Sequence, residues 1–373
     1  MHSHRTRRSV LAAGARLVLG SLAVTRFPGL AAVRVRAAAD AGQAAQPFEP
    51  LKPTSAPLDV ARLMAERYPM TPAMSYIPAL AWSGSLRLSA RTKEPRWADK
   101  AKTEMRPFLS GEKPVTSEKN SLASLGGHIA FADLAIAEAN KAAADLAKAA
   151  ADLILPQTSE EVVRFGTGWT DDMYMAAAPL VRVGSLTKDV RYANAAARLL
   201  LSYAGKLQRA DGLFIHATNG PHAWGRGNGF ASLGLADALQ YLPADAPDRP
   251  QLLNVYRTHL TALLTFQTDD GTWRQVIDEP TAYRELTSTA LFLSTMARGV
   301  RRGWLDKRFT PAIDRAWSGI LARVGTDRAL HDVCSSTGAG PTKDYYMTRP
   351  ITNGPDDRAG AMVLLAALEL DET

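Results

Sequence analysis

From about residue 57 onward the apolar positions of this chain fall at helical spacing, in segments of two alternating kinds. One kind is amphipathic and charged: Leu58 to Glu66, Arg96 to Phe108, Lys141 to Leu155, Val190 to Leu207, Gln251 to Gln267 and Pro311 to Val324. Each reads as a helix with one solvated face. The other kind is rich in Ala, Gly, Leu and Met, with few charges in its body: Ala73 to Leu88, Leu122 to Ala137, Asp171 to Val183, Gly227 to Leu242, Leu286 to Ala297 and Ala359 to Leu370. Small, uncharged residues suit helices buried on all sides. Their starts recur at roughly 50 to 70 residues, as repeated supersecondary units do. An all-α fold, a closed (α/α)6 toroid of six inner and six outer helices, is the economical reading. An open α-solenoid and two packed bundles stand as alternatives. Runs of alternating β-branched and polar residues are too short for a β-rich fold.

The start of the chain breaks this pattern. His and Arg crowd the first residues, an apolar run from Val10 to Val24 follows with only Arg16 inside it, and Ala37-Ala38-Ala39 comes next. That order predicts a secretory leader over 1–39, and Arg7-Arg8 before Ser9-Val10-Leu11 points to the twin-arginine route. Export to the periplasm or the exterior is the expectation. The apolar run is too short to span a bilayer stably, so no membrane span is expected in the mature chain. Residues 40–56, rich in Ala, Gln and Pro, read as a linker, and 57–373 as a single catalytic domain.

Charge changes meaning once the leader is set apart. The seven arginines of residues 1 to 37, with no acid among them, equal the whole formal excess of +7. The remainder is balanced, so the basic pI gives no footprint for nucleic acid. One cysteine, Cys334, forms no internal disulfide and no cysteine zinc cage. It reads as a buried thiol.

Candidate chemistry lies where the chain enters the buried helices. In a toroid these loops line one mouth, and the helix N-termini turn free N–H groups and partial positive charge toward it. The segments are Phe165-Gly166-Thr167-Gly168-Trp169-Thr170-Asp171-Asp172, then Gly212-Leu213-Phe214-Ile215-His216 leading to Trp224-Gly225-Arg226-Gly227-Asn228-Gly229-Phe230, then Asp270-Gly271-Thr272-Trp273 with Glu285 beyond. Aromatic rings stack on sugar faces, carboxylates move protons, and Arg pairs with a uronate.

Trp169-x-Asp171 with Tyr174-Met175, Trp224-x-Arg226-Gly227-Asn228-Gly229-Phe230, and Asp270-Gly271-x-Trp273-x-Gln275-Val276 before Glu285 and Ser288-Thr289-Ala290 resemble the unsaturated uronyl hydrolases of glycoside hydrolase families 105 and 88. The likeness runs in order from about Tyr76 to the C-terminus. It implies an (α/α)6 barrel, no metal, no cofactor, and an oligosaccharide substrate with a terminal unsaturated uronate of rhamnogalacturonan, pectin or related origin. In such enzymes an aspartate gives a proton to C4 of the C4=C5 bond and activates the water that adds at C5; the hemiketal then collapses. Carried over, Asp171 is the catalytic residue, and Tyr76, Trp169, Met175, His216, Trp224, Arg226, Asn228 and Phe230 contact substrate.

One departure matters. Where many members have a second functional aspartate, this chain has Ala123, in Leu122-Ala123-Ser124-Leu125-Gly126-Gly127-His128. A methyl group cannot hold a proton. Asp172, His128 or His216 takes that duty, or the substrate differs, or catalysis is impaired. Plainer readings exist for each residue: a first-turn carboxylate for Asp171 and better for Asp172, a salt bridge to Glu285 for Arg226, core histidines at 128 and 216, and packing aromatics at Trp273 and Tyr283. A glycan-binding toroid without catalysis and a two-carboxylate inverting glycosidase are the competing functions.

Overall fold

The computed structural model describes residues 48–116 and 119–373. The leader expected over 1–39 lies outside the described residues. Twelve helices form the body: α1 (Pro57–Arg67), α2 (Tyr76–Thr92), α3 (Pro95–Leu109), α4 (Ile129–Glu138), α5 (Lys141–Ile154), α6 (Ala177–Thr187), α7 (Val190–Leu207), α8 (Gly225–Tyr241), α9 (Arg249–Leu264), α10 (Leu286–Arg301), α11 (Thr310–Leu321) and α12 (Asp357–Asp371). The even-numbered helices pack in a ring, each against the next, and α12 closes on α2. The odd-numbered helices lie outside, α1 against α12 and each of the others against the inner helix before it. Among the described residues this is a closed (α/α)6 toroid of six inner and six outer helices.

Local chemistry sets the helix ends. Asn140, Asp189, Glu285 and Asp356 cap α5, α7, α10 and α12 through side-chain oxygens that accept N–H groups of the first turn. Helices α2, α4 and α6 stop at Lys93, Ala139 and Lys188, each in the left-handed region, and the outer helix follows within two residues. Turns this tight gather at one end of the barrel. The long connections, 155–171, 208–224, 265–285 and 322–356, lie at the other.

Two inner helices begin with a break. A turn, Leu122–Leu125, and a 3₁₀ turn, Gly126–His128, precede α4, and a turn, Asp172–Met175, precedes α6. The second break has a clear cause: Pro179 has no N–H to give the carbonyl of Met175 and its ring crowds that oxygen.

The sequence pattern offers no strands, but the mouth holds four short ones. β1 (Trp273–Arg274) pairs antiparallel with β2 (Arg284–Glu285), and β3 (Leu330–Cys334) with β4 (Ile351–Gly354). The expected linker is also tied down from Phe48 onward. The Leu51 N–H donates to Val324 O at 2.8 Å, the Thr326 N–H to Glu49 O at 2.9 Å, and Phe48 stacks on His331. Among the described residues no helix is long and apolar enough to cross a membrane.

The inner helices are less free of charge than their composition suggests. Near the far end, opposite the mouth, Arg87 of α2, Asp133 of α4, Arg182 of α6, Asp237 of α8, Arg298 of α10 and Glu369 of α12 meet in one ion network around the axis.

Candidate active site

Asp171 stands immediately before the turn Asp172–Met175, and its side chain caps none of that turn's N–H groups. The carboxylate is left for other work. Oδ2 lies 3.2 Å from Nε2 of His216. The backbone brings the two together, since the Thr170 N–H donates to the His216 carbonyl at 2.9 Å. Asp171 retains 9% exposure and His216 none, so their contact is shielded from water.

On its other side His216 presents Nδ1 to the Tyr346 hydroxyl at 2.9 Å. That hydroxyl accepts from the Gly340 N–H at 3.4 Å. Burial pushes it up to about 12, so it keeps its proton at neutral pH. An ionised carboxylate only accepts, so the Nε2 facing Asp171 carries the hydrogen, and in the tautomer this selects Nδ1 accepts from the Tyr346 hydroxyl. Rings of Trp169, Trp224 and Tyr346 surround the imidazole, with centroids 5.2, 4.8 and 5.8 Å away.

Arg226 lies in the first turn of α8 with its guanidinium carbon 4.9 Å from the Trp224 ring centroid. Its Nη1 donates to the Cys334 carbonyl at 2.7 Å and to the Thr287 hydroxyl at 3.4 Å. Tyr76 completes the group. Burial pushes its hydroxyl up to about 12, reinforced by the negative charge of Asp171 and opposed by Arg226. Asp171, His216, Trp169, Trp224, Arg226 and Tyr76 thus share one neighbourhood. Glycine at 227 permits it: a Cβ there would lie 2.4 Å from Thr170 Oγ1 and 3.4 Å from the His216 ring.

Several residues expected at the site have other tasks. The Asn228 side-chain oxygen accepts the Phe214 N–H at 2.8 Å, and its Nδ2 donates to the carbonyls of Phe214 at 2.8 Å and Trp224 at 2.9 Å. With its amide spent on backbone, it fastens the loop bearing His216 to α8. Phe230 is wholly buried, stacked on Tyr174 and edge-on to Tyr76, so it backs the wall rather than facing a sugar. Met175 belongs to the apolar core, where its carbonyl packs closely on Gly126, 3.1 Å from where a Cβ would stand.

The replacement for the absent aspartate is narrowed in the same way. Asp172 accepts the N–H groups of Thr167 and Gly168, the Thr167 hydroxyl and the Tyr203 hydroxyl, and so fixes the loop before Trp169. Burial nonetheless holds its carboxyl above the usual range. His128 sets Nδ1 3.1 Å from the Leu125 carbonyl and its ring edge-on to Phe131. Burial lowers it to about 4, so it is a neutral packing residue at pH 7. Of the three candidates, His216 is the one bonded to Asp171. Ala123 sits in the turn that packs against Asp172–Met175. Trp273 is a core residue, donating Nε1–H to Leu263 O and edge-on to Phe292.

Tyr346 was absent from the expectations. It follows Tyr345 in a Gly- and Pro-containing connection and reaches His216 across 130 positions of sequence. An aromatic pair in the short helical turn Lys343–Met347 was the available signal.

An (α/α)6 toroid that gathers a carboxylate, an imidazole and a guanidinium among aromatic rings at the inner-helix N-termini has the make-up of a glycoside hydrolase. The model of Glycosyl Hydrolase Family 88 matches residues 58–372, and the chain belongs to that family. It is 28% identical over 216 residues to an unsaturated 3S-rhamnoglycuronyl hydrolase of Alteromonas sp. (strain LOR), covering 54% of this chain and 50% of the relative. With the unsaturated rhamnogalacturonyl hydrolase YesR of Bacillus subtilis (strain 168) it shares 25% over 190 residues, 49% and 54% of the two. The chain therefore matches about half the length of these curated relatives. A family 105 glycoside hydrolase from C. acetobutylicum ATCC 824 superposes with a TM-score of 0.75 at 22% identity, over 83% of this chain and 99% of the other. The unsaturated glucuronyl hydrolase of Bacillus sp. GL1 gives 0.60 at 15% identity, over 84% and 94%.

Proposed function

We propose that this glycoside hydrolase removes a Δ4,5-unsaturated uronic acid from the end of lyase-made oligosaccharides, with Asp171 as general acid and base. The observation that carries the reading is the uncapped Asp171 carboxylate, 3.2 Å from His216 Nε2. The Asp171 carboxyl gives its proton to C4, and positive charge develops at C5 beside the ring oxygen. The His216 Nε2–H steadies the carboxylate that this leaves. Water adds its oxygen to C5 and returns a proton to Asp171, so one water is consumed and the carboxyl is restored. The hemiketal at C5 then opens and the second sugar departs. Arg226 pairs with the uronate carboxylate, and the half-buried Trp169 offers a ring face to the sugar, while Trp224, buried between His216 and Arg226, holds those two groups in place. The names of the two curated relatives support a rhamnose-linked uronate as substrate, and the basic and apolar start of the chain supports export.

The enol ether absorbs in the ultraviolet, so turnover is read as loss of that absorbance. Asp171→Asn is expected to lower kcat by about 10²- to 10⁴-fold, the usual worth of a general acid–base group, with unchanged folding. Cleavage confined to saturated glycosides, or binding of unsaturated uronides without turnover by the unaltered protein, overturns the reading.

A further inference from the structure

A buried cation and a buried carboxylate stand in the mouth wall without touching. Arg226 is 3% exposed and Glu285 not at all, yet no direct ion pair joins them among the described residues. Two neutral groups lie between. The Thr287 hydroxyl donates to the Glu285 carboxylate, 2.7 and 2.8 Å from its two oxygens, and accepts from Arg226 Nη1 at 3.4 Å. The Cys334 N–H donates to Glu285 Oε1 at 3.0 Å, while the carbonyl of the same residue accepts Nη1 of Arg226 at 2.7 Å. Glu285 also takes the Ser288 N–H at 2.6 Å, capping α10.

The asymmetry is chemical. The Glu285 oxygens are satisfied by neutral donors and have no need of the guanidinium. Among the described residues, both Arg226 hydrogen bonds leave from Nη1. That leaves the Nε–Nη2 edge, the pair of donors that grips a carboxylate side-on. A direct bidentate Arg–Glu pair would occupy that edge, and an arriving carboxylate would meet a like charge.

We infer that Glu285 is a positioning residue for substrate charge: acting through Thr287 and the Cys334 backbone, it fixes Arg226 and leaves its Nε–Nη2 edge to the uronate carboxylate, so that the site selects free uronates over their esters. The inference rests on the function proposed above. It adds a residue that touches no substrate and a selectivity that the reaction itself does not require.

The test compares kcat and KM of the unaltered protein, Glu285→Gln and Thr287→Val on an unsaturated uronide and on its C6 methyl ester, with a melting temperature for each variant. Glu285→Gln is expected to lose about tenfold in kcat/KM on the free acid, mainly through KM, as loss of one charge-assisted contact does, and to stay within about twofold on the ester. Thr287→Val, which leaves the Ser288 cap in place, shifts the acid-to-ester ratio in the same direction by less. It decides the matter where Glu285→Gln folds poorly. Equal losses on both substrates reduce Glu285 to a helix cap and overturn the inference. An unaltered protein that turns over acid and ester alike overturns it while the hydrolase reading stands. An unaltered protein that turns over neither removes both.

Discussion

At the far end of the barrel Asp237 is gripped by Arg182 and Arg298, each at 2.6 Å, and Glu369 by Arg298 and Arg301 at 2.6 Å and Arg87 at 2.9 Å. At the mouth, by contrast, among the described residues Asp171 has one imidazole contact at 3.2 Å and Arg226 makes its hydrogen bonds through Nη1 alone. Both sets of charges are buried, so burial does not separate them. What does is how fully each charge is used. A buried ion that breaks is costly, so a network that holds helices together needs partners on every side. A site that must receive a charged, hydroxylated sugar needs donors left over. The helix ends point the same way: C-termini, with partial negative charge, meet the arginines of the far end, and N-termini meet the anion expected at the mouth.

This contrast can be broken at either end. Glu369→Leu takes a buried carboxylate from three guanidinium groups, leaving Arg298 only Asp237 and Arg87 and Arg301 only the half-buried Glu372, and is expected to cost about 3 kcal/mol of stability in denaturant unfolding, with kcat per folded molecule unchanged. A drop in kcat without loss of stability would erase the division of labour. Acid should reach the far end next. Burial pushes the Asp237 and Glu369 carboxyls up, but the arginines outweigh it and hold both below the usual range. Their contribution is therefore complete above the ordinary carboxylate value of about 4 and is lost as pH falls through the depressed folded values. The melting temperature should fall below about pH 4, and Glu369→Leu should show a shallower acid slope. The smallest effect belongs to the mouth. Tyr346→Phe is expected to lower kcat about tenfold by leaving His216 Nδ1 without its donor, and to cost no more than about 1 kcal/mol of stability. Equal losses in stability and rate would mean that Tyr346 packs rather than positions.

Much of the scaffold was legible because helical periodicity is local. Val190 to Leu207 coincides with α7, and Ala359 to Leu370 lies inside α12. The break before α6 was not foreseen, although Pro179 carries its cause; Ala-rich neighbours masked it. Within the site, Asp171, His216, Trp224 and Arg226 could be named from motifs that keep their order along the chain. The work of Asn228 and Asp172 was hidden for a different reason: a motif fixes where a side chain stands but not where its polar atoms point, and both turn to backbone groups of neighbouring loops. Tyr346 and the Glu285–Thr287–Cys334 linkage join segments far apart in sequence, where no spacing rule applies. The axial network escaped notice because each inner helix contributes only one or two of its charges, which read singly as residues at a helix edge.

Gly227 sets a tolerance for the whole mouth. Asp171 and Arg226 belong to different repeats, and their separation is governed by how closely the first turn of α8 can approach Thr170. The spacer at that contact is a single hydrogen atom. A methyl group at 227 would act as a wedge between the acid and the cation. Catalytic registration in this toroid therefore depends as much on mass withheld at one position as on the reactive groups supplied at the others.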